Sequence, residues 1–450
     1  MTATATTSQG PRAWFGHPGG LSTLFFTEMW ERFSYYGMRA FLILYMTAPA
    51  VAGGLGFDVK HAGSVYGTYT SSAWAAAIFG GVIADRWLGQ YRSVLYGGMI
   101  IALGHFTLAF KALPFFYAGL SFIVIGTGLL KPNVSTIVGG LYEQGDARRD
   151  AGFSIFYMGI NLGAALGPLI AGWLAQKVDW HLGFACAGVG MTLGLIQYVV
   201  GRKRLAPSFE RLAQRARPAA VVGTASATGG GVLGFTAVEW KRIASMFVFF
   251  VFAAIFWGAY EQAGSTLNLF GDRYTRLSLL GFSFPSSWFV AVQAIFVILL
   301  APVFAWLWIR LGKREPSSPA KFAWGLFFAG LSFLLLVPVA TLAQSAPDVR
   351  VSPFWLVACY FVQELGELSL SPVGLSVFTK LSPVKIVGMM LGVWFLANAA
   401  GNKLAGWTAG FFTSMPLAQL FGSIAAVCLG AAAIQWILVR PVRRLMGGVH

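Results

Sequence analysis

Four charged side chains sit inside one apolar run near the start of the chain: Glu28, Glu31, Arg32 and Arg39, within FFTEMWERFSYYGMRAFLIL. Glu28, Arg32, Tyr35 and Arg39 follow one another at four, three and four residues, which stacks them on one face of a helix, with Glu31 and Tyr36 flanking. Phe26, Phe33, Phe41 and Leu44 fall on the opposite face, free to meet lipid or other helices. A charge at the centre of a bilayer costs at least about 2.5–3.5 kcal/mol, so four of them facing lipid would cost on the order of 10 kcal/mol. Something polar must receive them. Either the helix lines a wet central cavity, or the charges form a buried structural network. Matching partners lie elsewhere in apolar sequence: Lys131 beside the helix-breaking Pro132, Glu261 in FWGAYEQAGS, and Glu364 and Glu367 three residues apart in QELGELSLSP. Lys403 is read as snorkelling towards a helix end. Cations thus collect in the first half of the chain and acids in the second. Two such poles suit a zwitterion: arginine grips a carboxylate with two donors and lysine acts as a point charge, while a buried carboxylate can take up a proton. A short peptide has both charged ends.

The surrounding sequence must hold these groups in a membrane. Of 450 residues, 57% are hydrophobic, 15% aromatic and only 11% charged, against about 25% charged in soluble domains. Apolar stretches of roughly 20 residues occur near 21–49, 62–84, 93–112, 115–141, 151–175, 181–201, 243–270, 287–309, 322–343, 353–379, 386–411 and 418–439. They predict an all-α integral membrane protein with twelve transmembrane helices in two six-helix bundles. The expected layout is an N-terminal tail (1–20), a first bundle (21–201), a linker (202–240), a second bundle (241–439) and a C-terminal tail (440–450). The linker is basic at first, then small and glycine-rich (GTASATGGG), with no room for two further spans. With the N-terminus inside, the inner loops carry Arg86 and Arg92, Arg148 and Arg149, the basic run from Arg202 to Arg217, then Lys241 and Arg242, Lys313 and Arg314, and Lys380 and Lys385. The outer loops carry only Lys60, Lys111, Lys177, Arg273, Arg276 and Arg350. This asymmetry predicts a multi-pass protein of the plasma (inner) membrane with both termini cytoplasmic. It also accounts for the net charge of +16 without nucleic acid, for which no basic face with stacking aromatics exists. ADRWLGQYR and RLGKR echo each other half a chain apart, as in transporters with duplicated halves.

These stretches resemble those of the proton-dependent oligopeptide transporters, a branch of the major facilitator superfamily. EMWERFSYYG is similar to that family's ExxERFxYYG, FSIFYMGINLGAALGPLIAG to its FYxxINxG signature, and GGVIADRWLGQYR to the general facilitator loop. GELSLSPVGLSVFTKLSP and GVWFLANAAGNKLAG match its later marked segments. The resemblance implies the major facilitator fold and import of di- and tripeptides with protons. Glu28, Glu31, Arg32, Lys131 and Glu261 would carry proton coupling. Arg39 with Glu261, and Lys131 with Glu367, would gate. Arg32 and Lys131 would take the peptide carboxylate and Glu367 with Asn161 its amino end. Tyr35, Tyr36, Arg39, Trp257, Gln293 and Trp394 would complete the pocket. Trp74 stands where the family often has tyrosine, Gln293 where it has asparagine, and Gly67 where animal members have histidine.

One proton crossing at roughly 150 mV and one pH unit supplies near 5 kcal/mol, enough for about a thousandfold accumulation of a neutral peptide. No cofactor is then needed beyond the proton gradient. Neither HExxH nor GxSxG is present, so an enzyme is not expected. The three cysteines and the histidines His61 and His105 read as structural, with no metal-ligand spacing. No apolar segment with a cleavage site precedes the first span, and a monomer is expected. The rival reading is a facilitator of nitrate or another small anion, as in plant relatives. There the ExxER cluster is often lost, whereas here it is whole.

Overall fold

In a computed structural model the chain is almost wholly helical. It describes residues 14–143, 145–219, 235–346, 349–383 and 386–447. Lys385 and the glycine-rich 223–231 segment lie outside the described residues. The first half contains α1 (Gly20–Thr47), α2 (Val59–Ile83), α3 (Gly89–Leu108), α4 (Leu113–Gly140), α5 (Arg149–Lys177) and α6 (Trp180–Val200). After α7 (Arg202–Ala219) come α8 (Ala237–Tyr260), α9 (Thr266–Tyr274), α10 (Trp288–Leu311), α11 (Ser318–Ser345), α12 (Phe354–Leu381), α13 (Val387–Ala409) and α14 (Leu417–Leu445). A two-residue antiparallel hairpin, β1 (Ser278–Leu279) and β2 (Phe282–Ser283), joins α9 to α10.

Among the described residues seven helical spans are long and apolar enough to cross a bilayer: α4, α5, α6, α8 with α9, α10, α11 and α14. The other long helices dilute their hydropathy with buried charge (α1, α12) or with glycine and small polar residues (α2, α3, α13). Those departures are what a cavity wall and close helix crossings require.

Two differences from the sequence reading have physical causes. The apolar stretch at 243–270 is not one helix. It breaks at a tight turn, Glu261–Gly264, before α9. There Gln262 donates to the Gly258 carbonyl at 3.0 Å, giving the interrupted backbone a substitute partner, and its Oε1 accepts from the Ser265 hydroxyl at 3.3 Å and from Thr266. The linker also begins as helix α7. It docks on the first half where Ser208 donates to the Ile137 carbonyl at 2.7 Å and Arg211 to that of Leu141 at 3.0 Å. Its sequence is too polar to cross a membrane but places Leu205 fully out of solvent, so it behaves as a surface helix. Likewise α14 continues through Arg440, Arg443 and Arg444 to Leu445.

Within the first half α1 packs on α5 and α6, and α3 and α2 on α4; within the second, α11 packs on α14 and α12, and α13 on α8. A Cβ on Gly163 of α5 would lie 2.1 Å from the Met29 carbonyl. Glycine there lets the two backbones touch and fixes the rotation at which α1 presents its charged face. The halves meet through α2 against α13 and α5 against α10. At Gly67 an added Cβ would fall 2.8 Å from Gly406 Cα. No histidine fits that crossing without parting the halves.

Candidate functional site

The charged face of α1 is buried: Glu28, Glu31, Arg32 and Arg39 are each 5% exposed or less. On the opposite face Phe33, Phe41 and Leu44 are buried among helices and only Phe26 is exposed. Arg32 divides its guanidinium between two acids of its own helix. It grips Glu31 with two donors, one of them at 2.6 Å, and reaches Glu28 Oε1 at 3.3 Å. The second oxygen of Glu28 has no partner. Arg32 also lies 5.2 Å from the Tyr35 ring centroid, and Tyr35 meets Tyr36 edge to face.

Lys131 shares a small cleft with Arg32, Tyr35, Trp74 and Thr127. Among the described residues it forms no ion pair; its amine rests 3.0 Å from the Trp74 ring centroid, a cation–π contact. Trp74 in turn reaches Phe395 of α13, 6.0 Å between centroids. Trp74, one of the departures from the resemblance noted above, therefore covers this lysine and links it to the other half. Of the residues expected to couple protons and take the peptide carboxylate, Glu28, Glu31, Arg32 and Lys131 lie together, although the lysine pairs with neither acid, while Glu261 lies apart, paired with Arg39.

The acidic pole lies on α12. Glu364 is fully buried and accepts a hydrogen bond from the Tyr260 hydroxyl at 2.9 Å. Glu367, three residues on, has a buried oxygen without a partner. Each acid is bonded by one hydroxyl, Glu364 by Tyr260 and Glu367 by Ser371, and among the described residues each keeps one buried oxygen without a partner. Gln293 of α10 donates to Gln363 at 3.1 Å, so its longer amide ties α10 to α12 beside these acids. Asn161 donates to the Tyr157 carbonyl of its own helix at 3.0 Å, and among the described residues no hydrogen bond joins it to Glu367. Trp257 is buried with an unpartnered indole N–H and packs edge to face on Tyr260. Trp394 lies deeper in the second half, against Phe378 and Phe322 and over Gly374. Tyr36 packs between Ala164 and Ala165 of α5 and Ala294 of α10, where the halves face one another.

A third group closes one end of the molecule. Arg39 forms a buried ion pair with Glu261 and donates to the Tyr66 hydroxyl at 2.6 Å. Nearby Asn268 donates to the Ala40 carbonyl at 2.6 Å, Gln176 to Ser286 at 2.9 Å, and Lys403 to Thr68 at 2.7 Å. Each of these bonds joins the two halves at the end where α1 finishes and α2 begins. Lys403 thus spends its charge on a bond across the halves. Glu261 sits at the break after α8, where the freed backbone lets its carboxylate turn towards α1.

Sequence reasoning missed Tyr66, Tyr260, Gln363 and Asn268. Each is polar in an apolar run, but none carries a charge to mark it out. His61, the helix-entrance histidine, meets the Tyr117 hydroxyl at 3.3 Å, while the buried His105 has no partner for either ring nitrogen.

Two helical halves around buried acids and bases, joined at one end by a breakable ion pair, define a secondary transporter of the major facilitator type. A family model described as the POT family matches residues 91–211 and 236–436. The chain belongs to that family. It is 38% identical to the peptide transporter YePEPT of Yersinia enterocolitica, covering 99% of each chain. It is 35% identical to a di-/tripeptide transporter of Lactococcus lactis, with 98% of each covered. A crystal structure of a mutant peptide transporter POT in complex with alafosfalin superposes with a TM-score of 0.87, at 40% identity over 97% of each chain.

Proposed function

We propose that this protein is a proton-coupled symporter that imports di- and tripeptides by alternating access between its two halves. The observation that carries the reading is a pair of separate, buried, incompletely satisfied poles. One is Arg32 with the unpaired Lys131; the other is Glu367 with its orphan carboxylate oxygen. Buried charges left without partners are costly unless a ligand completes them. Arg32 and Lys131 take the peptide carboxylate, and Glu367, with Asn161 lining the opposite wall, takes the amino end. Tyr35, Tyr36, Trp257 and Gln293 bound the volume for side chains, and Trp394 supports that wall from behind. Glu28, the acid less firmly held by Arg32, carries the proton, driven by the membrane gradient alone.

The twelve long helices then all cross the inner membrane, with both termini in the cytoplasm, and one chain is the working unit. The end sealed by Arg39, Glu261 and Tyr66 is the outer one. Peptide transport by the Yersinia and Lactococcus relatives and the alafosfalin complex of a solved relative favour a peptide over a small anion. So does the acidic pole, which has no use for nitrate.

Competition for uptake separates the two substrates. In proteoliposomes with an inward pH gradient, labelled dialanine uptake is expected to fall severalfold in a large excess of unlabelled dialanine and to stay unchanged in the same excess of nitrate. Displacement by nitrate, or nitrate uptake itself, would overturn the peptide reading.

A further inference from the structure

Away from the central poles, a cleft of about 760 Å³ opens between the end of α10, the start of α11, one side of α12 and the end of α14. Four cations line it, Lys313, Lys321, Lys380 and Arg443, against a single acid, Glu315. Glu315 is already spent: it pairs with the buried Lys321, whose amine also lies 4.2 Å from the Trp308 ring centroid. Lys313 and Arg443 are exposed and form no ion pair among the described residues. Ser317 and Ser318, at the start of α11, also line the cleft, and Ser317 makes no side-chain cap to that helix. The result is a concentration of positive charge in which, among the described residues, Lys313 and Arg443 have no acid paired with them.

This cleft is not the transport cavity. Leu368, Pro372, Ser376 and Lys380 recur every fourth residue along α12 and line it. At about 100° per residue their stripe is turned roughly 120° from Glu364 and Glu367. The remaining wall is apolar, formed by Trp308, Leu368, Pro372 and Val373. Beside it on the same helices Ile309 is 82% exposed and Leu375 46% exposed, a bare apolar border of the kind that meets acyl chains.

We propose that this cleft binds a phosphate group, carried by an anionic phospholipid of the leaflet at that end of the molecule. The phosphate seats between Lys313, Arg443 and the start of α11, and the glycerol and first methylenes lie along Trp308 and Pro372. Basic pockets between membrane helices are suited to such headgroups, and their hold weakens with salt.

The test uses the full chain in neutral detergent, following the thermal unfolding midpoint. Phosphatidylglycerol, phosphatidylcholine and inorganic phosphate are titrated in separate arms. Phosphatidylglycerol is expected to raise the midpoint saturably and phosphatidylcholine is not. Lys313→Ala and Arg443→Ala, both exposed changes that spare the Lys321 pair, should each raise the half-maximal phosphatidylglycerol concentration about fivefold. Arg444→Ala, one residue along and outside the cleft, should leave it unchanged. Protection by inorganic phosphate with none by phosphatidylglycerol would uphold the phosphate site and assign it to a soluble ligand. Equal protection by phosphatidylcholine, no protection in any arm, or an equal loss in Arg444→Ala would overturn the proposal.

Discussion

Glu28→Gln is expected to abolish gradient-driven accumulation of dialanine while leaving exchange of labelled for unlabelled peptide across the membrane. Arg32 holds Glu31 with two donors but reaches only one oxygen of Glu28, at 3.3 Å, and the other oxygen is without a partner. On the proposed reading, protonating Glu28 removes the weaker contact and leaves Arg32, still held by Glu31, with guanidinium capacity for an incoming carboxylate. Glutamine copies the protonated acid permanently. The peptide site stays loaded-competent, so exchange persists, but the carrier can no longer return a proton for each cycle. Coupling free energies of about 1–3 kcal/mol correspond to roughly 5- to 150-fold, and the driven component should fall by at least about tenfold. Lys131→Ala should remove the same component and also weaken peptide binding, because among the described residues no acid pairs with this buried lysine. Uptake assays with and without a pH gradient, paired with counterflow, separate the two effects. Driven accumulation surviving intact in Glu28→Gln would sink the assignment of the proton to that acid.

The second large effect concerns the seal. Glu261→Gln leaves Arg39 charged and buried with only neutral acceptors, the amide oxygen and the Tyr66 hydroxyl, and no counter-charge. Breaking a buried ion pair from one side costs about 3–5 kcal/mol, whereas replacing both partners by apolar groups is often neutral. The closed end should open in Glu261→Gln, its population falling by two orders of magnitude or more relative to the opposite state. A cysteine placed at Ser287, fully buried in this seal against Gln176, should then react with a membrane-impermeant thiol reagent at least about tenfold faster. The double change Arg39→Met with Glu261→Met should recover thermal stability yet transport nothing, since the switch is gone. Unaltered labelling in Glu261→Gln would show that the ion pair does not hold this end shut.

Much of this was legible because charge in an apolar run has few explanations. The stripe Glu28, Arg32, Arg39 announced both a polar interior and the face of α1 that meets it, and the structure buries all three. Seven of the twelve expected spans are long and apolar enough by hydropathy among the described residues, and the motif-bearing stretches in α1, α5, α12 and α13 were sufficient to identify the POT family. What stayed hidden was decided by long-range packing. The break at Glu261–Gly264 lies inside an apolar stretch with no proline to mark it, so local pattern ran straight through it. The basic linker hid helix α7, since polar sequence beside a bilayer reads as a loop until a docking surface on α4 is known. The part played by Trp74 was invisible for the same reason. A tryptophan in a membrane helix has many ordinary uses, and only the position of Lys131 beneath its ring distinguishes this one. Tyr260 likewise ties Glu364 through a bond of 2.9 Å between residues 104 apart in sequence.

The central claim is that peptide and proton share one buried network, so movement of either must carry the other. The direct measurement is internal pH in proteoliposomes loaded with a pH-sensitive dye, with no imposed pH gradient and an inward dialanine gradient. Addition of dialanine should acidify the lumen at once, and Glu28→Gln vesicles should take up peptide without acidifying. Dialanine entry with a flat pH trace in the unmutated protein would contradict the account.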